Sequence, residues 1–424
     1  TRLLLSSKYA QIANYWKYFD GEAEQLKKNK VYEKKATEEK AFSNWAASKA
    51  EYKSLLYDID QAYTLYKPYA LQRVYIGECV LAPNSMLFAY QFNALESIYS
   101  EIEKTKSNKE MSKTAKDSAL NMLDLRLKTM VLILKSAVEG TPYTDRIVTA
   151  DKKIFAGMMK MYYKNIPADQ WPEAFTKIAS KIKNGNSEEV FAKYTDMIYK
   201  KSMFSSVDKM MAFLDKPSHS KLLKDPEFQY MKAHLENYLN NFASKYGEFY
   251  NNANELGGKY IKGLMEMYPD RIFYPDANSS QRLTYGTVQS YDPKDAVHYN
   301  YYTTIEGVLE KYVPGDYEFD LPSKLIELYK NKDYGRYAME NGQLPVCFLT
   351  NNDITGGNSG SPVMDGNGHI IGLAFDGNWE AMSGNIHFDK ELKRCINVDI
   401  RYVLWLIEKL GGAKHIVDEM KLVE

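Results

Sequence analysis

The sequence predicts a multidomain chain of mixed α and β class, in which an irregular α-helical domain precedes a domain rich in β-strands. Apolar residues recur at three- and four-residue spacing up to about residue 268, which is typical of helices. Beyond the stretch 268–280, rich in Pro, Asp and Ser, the pattern changes to alternation with Thr, Tyr and Val. Because 424 residues exceed what one core usually supports, we place domains at residues 1–272 and 273–424.

The first domain is predicted to be a series of helices of unequal length, without a recurring sequence period. Pro68 and Pro83 interrupt apolar helical runs, and Gly140 ends another. Ser107 followed by Glu110 is a capping-box pattern that predicts a helix start. The predicted helices cover residues 7–28, 31–66, 69–104, 107–139, 144–165, 167–184, 187–200, 205–214 and 225–267.

The second domain is predicted to contain short strands and two helices. Strands are indicated by alternation and β-branched residues, and the sequence DGNG at 365–368 indicates a hairpin turn. The predicted strands cover residues 282–288, 298–307, 344–350, 362–364, 369–375, 385–388 and 394–399, and the predicted helices cover residues 321–331 and 400–410.

Composition argues against several classes of function. The formal net charge is zero and the pI is near 7.0, so nucleic acid is a poor candidate partner. No apolar run approaches the length needed to span a bilayer. Cys79, Cys347 and Cys395 are too few and too scattered for a disulfide framework or a Cys-rich metal site, and Cys79 and Cys347 lie in apolar runs that favour buried thiols. We expect no metal and no organic cofactor.

The stretch TGGNSGSP at residues 355–362 has residue types that serine chemistry requires. A catalytic serine must project from a tight turn, and Gly357 and Gly360 flank Ser359 as that turn demands. The amides of Gly357 and Ser359 can then point at one spot, where an oxyanion would form. Strand, loop, short strand and hairpin is typical of chymotrypsin-like barrels. The alternative is a Gly- and Ser-rich surface loop between two strands.

A serine nucleophile requires a base, which in chymotrypsin-like order is a histidine that precedes an aspartate and then the serine. No histidine in the sequence fits that order with suitable surroundings. The six are in predicted helices, in a Tyr-rich stretch, after the serine, or near the end of the chain: His219, His234, His298, His369, His387 and His415. The sequence also opens without Met. We therefore expect the base and its aspartate to belong to a first barrel upstream of Thr1, and this chain alone to be inactive.

Four stretches resemble a known family. Residues 7–17, 274–286, 352–362 and 375–380 are similar to bacterial serine exopeptidases that include dipeptidyl-peptidase 7 and dipeptidyl-peptidase 11, and more similar to the former type. The resemblance implies a chymotrypsin-like double barrel with a helical cap domain inserted between the aspartate and the serine. It also implies a periplasmic homodimer that releases dipeptides from oligopeptides with a free N-terminus.

The resemblance assigns expected roles to individual residues. Ser359 matches the nucleophile, and the amides of Gly357 and Ser359 match the oxyanion hole. Asn14 and Asp376 are similar to residues that hold the α-amino group of the substrate, and the alternative for Asn14 is an exposed polar residue of a helix. Gly377 stands where relatives specific for acidic residues carry an arginine, which implies a hydrophobic residue before the cut.

Two other functions fit the same sequence. One is a chymotrypsin-like endopeptidase whose helical region is an unrelated appendage. The other is a catalytically incomplete helical binding module that retains a relic of the barrel. Cleavage of peptides with free and with acetylated N-termini distinguishes the exopeptidase from the endopeptidase.

Overall fold

The computed structural model describes residues 20–141, 143–274, 280–316 and 318–423. Within them the chain divides into two compact units, which are residues 41–271, and residues 20–40 together with 272–423. The first unit is helical, and every strand described lies in the second. The division at 271/272 lies next to the expected boundary. Residues 20–40, which the sequence pattern assigns to the helical domain, cluster with the strands instead.

The helices of the described chain before residue 272 vary widely in length. They are α1 (residues 20–28), α2 (Val31–Ala46), α3 (Leu55–Tyr66), α4 (Ala70–Tyr75), α5 (Asn84–Ser107), α6 (Lys113–Glu139), α7 (Asp145–Asn165), α8 (Glu173–Ala179), α9 (Ser187–Lys201), α10 (Val207–Asp215), α11 (His219–Lys224), α12 (Pro226–Asn241) and α13 (Ala243–Met267). Short 3₁₀ and π turns join several of them.

The core of the first unit is built from phenylalanines that helices α5, α7, α8, α9 and α12 turn inward. Each of them is at most 1% exposed: Phe92, Phe155, Phe175, Phe191 and Phe228. Phe92 packs edge-to-face on Phe204, Phe155 does so on Tyr230, and Phe175 stacks on Phe191. Burial of such large side chains is the main favourable term in folding this unit.

Helix positions follow the sequence prediction best where a helix has clear ends. Helices α7 and α9 span nearly the predicted residues. The predicted helix 31–66 is wrong because residues 47–54 separate α2 from α3, and the predicted helix 225–267 is interrupted at Phe242. The capping-box prediction is wrong as well. Ser107 ends α5, whereas α6 is capped by Ser112, whose hydroxyl accepts the Ala115 amide at 3.3 Å.

A buried carboxylate from α7 closes the start of α5. Asp151 is 1% exposed, and its oxygens accept the amides of Asn84 at 2.7 Å and Ser85 at 3.0 Å. The hydroxyls of Tyr143 and Tyr199 donate to the same carboxylate at 3.1 and 2.9 Å. Four donors thus replace the water that the carboxylate loses on burial. In return, the carboxylate provides an acceptor for two free amides at the helix end.

A second carboxylate closes the start of α12. Asp225 accepts the amides of Glu227 and Phe228 at 2.9 and 3.2 Å, and the Ser202 hydroxyl at 2.9 Å. Glu227 beside it is fully buried, and neither of its carboxyl oxygens has a hydrogen-bond partner among the residues described. Burial raises the pKa of Glu227 to about 8, so this carboxyl is protonated at neutral pH.

The second unit contains a five-stranded antiparallel sheet and a two-stranded hairpin. The hairpin pairs β1 (Tyr291–Lys294) with β2 (Val297–Tyr299). The sheet has the order β3-β4-β7-β6-β5, formed by β3 (Tyr302–Thr304), β4 (Pro345–Thr350), β5 (Pro362–Met364), β6 (Ile370–Gly377) and β7 (Cys395–Asp399). Four helices complete the unit: α14 (Ile305–Glu310), α15 (Ser323–Lys330), α16 (Ile400–Trp405) and α17 (Lys414–Asp418).

Trp405 is the centre of the core of this unit. It is fully buried among Ile305, Leu325 and Leu344, and its indole Nε1 donates to the Asp333 carbonyl at 2.9 Å. Helix α16 therefore packs against the sheet at the end of the chain, as the sequence predicts. The chymotrypsin-like double barrel stays a prediction, since the described strands form one open antiparallel sheet and one hairpin.

Two predicted strands are wrong. Residues 282–288 are exposed and form only an isolated bridge between Val288 and Thr350 within the described chain. Residues 385–388 form a turn in which the amides of Ile386 and His387 donate to the Ser383 carbonyl. Both stretches have strand-like residue types, but the first meets β4 only at its last residues and the second is closed into a turn, so neither forms a ladder.

Candidate active site

The loop between β4 and β5 holds Ser359 in a conformation that depends on glycine. Gly357 and Gly360 have φ angles of +101° and +83°, a region that side chains with a Cβ rarely adopt. Asn358 locks the loop, because its Oδ1 accepts the Thr355 amide at 3.0 Å and its carbonyl accepts the Ser361 amide at 2.9 Å. The expected tight turn around Ser359 is therefore present.

Ser359 lies against the middle of β6. The amide of Gly360 donates to the Ala374 carbonyl at 2.7 Å, and the Ala374 amide donates to the Ser361 carbonyl at 3.0 Å. The Ser359 residue is exposed, and its Oγ is 3.4 Å from the Phe375 carbonyl, a weak hydrogen bond. The hydroxyl is thus fixed on a rigid strand yet open to solvent.

The backbone amides around Ser359 divide into two groups. Those of Asn358, Gly360 and Ser361 donate to carbonyls of the loop or of β6. Those of Gly357 and Ser359 donate to no group in the described part of the chain. These two are the amides that the sequence assigns to an oxyanion hole, and a positive φ at Gly357 turns the backbone there. Free amides beside an exposed hydroxyl can receive an oxyanion.

The end of β6 carries the two other predicted substrate-binding residues that the structure describes. Asp376 is exposed, its Oδ1 accepts the Gly377 amide at 2.8 Å, and it forms no ion pair with a described residue. Within the described chain, no strand pairs with β6 beyond Ala374 on the side of β5. An extended peptide could therefore lie along residues 375–377, beside Ser359.

Gly377 is close to a following turn. A Cβ built on it would lie 3.0 Å from the Ala381 Cβ, so a side chain at this position would have to displace the 3₁₀ turn Trp379–Ser383 slightly. Gly377 itself has no side chain and so provides no charge. Asn14, the remaining predicted substrate-binding residue, lies outside the described residues.

A buried polar network that sequence reasoning missed supports the end of β6. Asn378 donates to Glu380 Oε2 at 3.0 Å and accepts the Arg394 amide at 2.9 Å. Glu380 also accepts the Tyr291 hydroxyl at 3.1 Å. Asn378 and Glu380 lie in the stretch 375–380, whose resemblance to the family could have indicated a role for them. Their partners Tyr291 and Arg394 are distant in sequence, and nothing in their local sequence indicated the contact.

Arg394 is the most unusual member of this network, because it is 2% exposed and has no carboxylate partner among the described residues. Its guanidinium instead donates to four backbone carbonyls at 2.8 to 3.2 Å. It also lies 5.4 Å from the ring centre of Tyr291. Carbonyl oxygens thus compensate a buried charge and hold residues 289–290 against residues 390–394.

Lys393, next to Arg394, is a second buried cation near the loop. Its Nζ donates to the His387 carbonyl, and burial lowers its pKa to about 8, partly offset by Asp353 and Asp389. Asp353 precedes the serine loop and accepts the Tyr274 hydroxyl at 2.7 Å. Asp353 therefore anchors the residues that lead into the serine loop, and Lys393 anchors the segment that follows β6.

The stretch that contains Gly286 lies against the entrance of the serine loop. A Cβ on Gly286 would be 2.4 Å from Asn351 Oδ1, so only glycine fits there. The Thr287 amide donates to the same Oδ1 at 2.7 Å, and the Asn351 amide donates back to the Thr287 carbonyl at 3.1 Å. Two stretches that the family resemblance rested on are thereby in contact.

None of the histidines hydrogen-bonds to Ser359 in the described structure. His298 pairs with Asp292 at 2.7 Å on the β1–β2 hairpin, and His369 pairs with Asp365 at 3.0 Å on the β5–β6 hairpin. Each pair joins residues that are close in sequence and stabilises a turn. That the base lies in another part of the protein stays a prediction.

Two features of the described residues bear on metal binding and membrane spanning. No group of three or more His, Cys, Asp or Glu side chains there could hold a metal ion. Likewise, none of the helices in that part of the chain has the length and apolar character that membrane spanning requires. Cys347 and Cys395 are free thiols.

A profile of the peptidase S46 family matches residues 1–422. The chain belongs to the peptidase S46 family. Dipeptidyl-peptidase 7 of Phocaeicola vulgatus is 40% identical over 425 residues, and an Asp/Glu-specific dipeptidyl-peptidase of Flavobacterium psychrophilum is 38% identical over 429 residues. The crystal structure of Porphyromonas endodontalis DPP11 in complex with the dipeptide Arg-Glu is similar with a TM-score of 0.80 and 27% identity. The expected family resemblance is confirmed.

These matches cover this S46 chain fully but its relatives only in part. The two alignments include 100% of this chain and 56% of each relative, and the structural match includes 99% of this chain and 56% of the DPP11 chain. The chain thus spans about half the length of the curated relatives it matches. The family match over residues 1–422 gives no support to the prediction that this chain alone is inactive.

Proposed function

We propose that this chain carries the nucleophile and part of the substrate site of a serine dipeptidyl peptidase, which releases dipeptides from the free N-terminus of oligopeptides. The observation that carries the proposal is the arrangement around Ser359, where an exposed hydroxyl and the two amides of Gly357 and Ser359, which have no described partner, lie in one loop against β6. Membership of the S46 family and the names of its relatives support the same reaction.

In this proposal Ser359 Oγ attacks the carbonyl of the second substrate residue, and its proton passes to a base. The amides of Gly357 and Ser359 stabilise the resulting oxyanion. Asp376 binds the ammonium group of the first residue, since a carboxylate without a described cation partner suits that charge. Asn14 would add an amide oxygen. The histidine and aspartate, the double barrel, the helical cap, a homodimer and a periplasmic location stay predictions.

The residue before the cut is proposed to be hydrophobic, because Gly377 provides no charge for an acidic side chain. Relatives of both named kinds match at 40% and 38% identity, so overall similarity does not indicate the preference. The difference must therefore come from local residues such as Gly377 and its neighbour Ala381.

Substitution of the nucleophile tests the proposal. In the protein as its gene encodes it, Ser359→Ala should lower kcat by at least about 10³-fold and abolish labelling by a fluorophosphonate, because no other group can form the acyl-enzyme. Ser361→Ala, two residues away in the same loop, is the matched control and should retain labelling.

The exopeptidase is distinguished from the endopeptidase by the substrate. We expect cleavage of a hydrophobic tetrapeptide with a free N-terminus and none of its acetylated form, measured by mass spectrometry of the products. Equal cleavage of both peptides would contradict the exopeptidase and favour an endopeptidase. Absence of fluorophosphonate labelling in the unsubstituted protein would favour a binding module.

A further inference from the structure

Helix α1 packs directly on the turn that follows β6. Gly21 is buried, and a Cβ built on it would lie 3.0 Å from Trp379 Cη2 and 3.2 Å from Met382 Cγ. A larger residue would therefore require the indole ring of Trp379 or the side chain of Met382 to shift by a few tenths of an ångström, or the turn that carries them to move. Glycine is unfavourable within a helix because it loses the most conformational freedom on folding. Close contact with the indole ring is the structural reason for glycine at this position.

The contacts of residues 20–40 with the rest of the second unit continue beyond Gly21. Gln25, four residues later and so on the same face, is fully buried, and neither of its amide atoms has a hydrogen-bond partner among the described residues. Lys28 Nζ donates to the Pro293 carbonyl at 3.2 Å. Lys34 Nζ, at the start of α2, lies 3.8 Å from Asp389 Oδ2. Residues 20–40 are thus fixed at several points around the segment that follows β6.

The turn in contact with Gly21 also contacts the substrate-binding end of β6. Trp379 and Ala381 belong to one 3₁₀ turn, and Ala381 is the neighbour that a Cβ on Gly377 would approach at 3.0 Å. Asn378, between strand and turn, is held by the buried network. Because Trp379 and Ala381 share this turn, a displacement of its backbone would move Ala381, which lies next to Gly377.

We infer that Gly21 is a positioning residue for substrate recognition, which acts by allowing α1 to hold the Trp379–Ser383 turn against the end of β6. Trp379 is its partner, and the pair determines where the chain presents Asp376 and Gly377 to a peptide. This inference rests on the proposed function. It assigns substrate binding, and not bond cleavage, as the property that a change at residue 21 alters.

A double-substitution experiment in the protein as its gene encodes it tests the inference. Gly21→Ala should raise KM for a dipeptide-releasing substrate about five- to tenfold and leave kcat within about twofold, since Ser359 is fixed separately by the loop. Affinity for a product dipeptide, measured by calorimetry, should fall by the same factor. Trp379→Phe removes the ring atoms nearest Gly21, so the double variant should recover most of the loss.

A matched control comes from a helical glycine without close neighbours. A Cβ on Gly258, in α13, would meet no atom within 4 Å, so Gly258→Ala should leave KM unchanged. An unchanged KM in Gly21→Ala, a fall in kcat alone, or a double variant no better than Gly21→Ala would each overturn the inference. Fluorophosphonate labelling of Ser359 separates the outcomes, because its absence in the unsubstituted protein would refute the proposed function instead.

Discussion

The helix ends of the first unit and the serine loop of the second use polar groups in opposite ways. In the helical unit, Asp151 and Asp225 are buried and bonded to several donors each, so these charges hold helix ends in place. In the strand unit, Ser359 and Asp376 are exposed, and two amides beside the serine have no described partner. Polar groups that are fully bonded stabilise a fold, whereas exposed and unbonded ones remain available for a ligand.

The largest effect should come from removing a buried carboxylate of the helical unit. Asp151→Ala leaves two helix amides and two tyrosine hydroxyls without their acceptor, so we expect the unfolding free energy to fall by about 3 to 5 kcal/mol. Urea unfolding followed by circular dichroism measures it. Asp376→Asn is the matched control and should change stability by less than about 0.5 kcal/mol. Similar losses of unfolding free energy in both variants would contradict the distinction between buried, bonded carboxylates and exposed ones.

An intermediate effect is expected from pH. Because the folded pKa of Glu227, about 8, is above its unfolded value of about 4.3, the folded state holds one more proton between these values. The contribution of Glu227 to the unfolding free energy is therefore full below about pH 4 and is lost as the pH rises through 8. We expect Glu227→Gln to remove a decline of about 2 kcal/mol between pH 6 and pH 8.

The pH prediction is checked by urea unfolding of both proteins at several pH values. The neighbouring acids Asp151 and Asp225 and the hydroxyls of Tyr143 and Tyr199 are unchanged in the variant, so they cancel in the difference. Parallel pH profiles for the two proteins would show that Glu227 is already ionised in the fold.

The smallest effect should come from the strand unit and should concern specificity alone. Gly377→Arg combined with Ala381→Gly, which relieves the 3.0 Å contact, should raise kcat/KM for an acidic residue before the cut about tenfold relative to a hydrophobic one. Ala381→Gly alone is the control. An unchanged ratio of the two kcat/KM values would contradict the assignment of Gly377 to the substrate pocket, while stability should remain unaltered.

The sequence predicted those features that depend on residues close together in the chain. The turn around Ser359 needs only its own glycines and hairpin, and its geometry agrees with the prediction. Helix ends marked by local signals, such as those of α7 and α9, were found to within a few residues. The strand predicted at 282–288 was wrong because a strand also requires a partner, which local residue types do not reveal.

Features created by distant residues were not predictable. Arg394 gains its carbonyl partners from residues 289 and 290, and Gly21 meets Trp379 more than three hundred positions away. Either residue alone has an ordinary sequence context. Only the packing of the second unit shows that carbonyls of distant segments surround a buried guanidinium, and that a helix glycine lies against an indole ring.

The carbonyl-bound guanidinium has a consequence for behaviour across pH. Burial lowers the pKa of Arg394, but an arginine keeps its proton over the whole range in which proteins function. Its bonds to neutral carbonyls also need no ionised partner. The contacts of the Arg394 guanidinium should therefore persist in acid and in mild alkali, whereas Lys393 beside it, with a pKa of about 8, loses its proton in mild alkali.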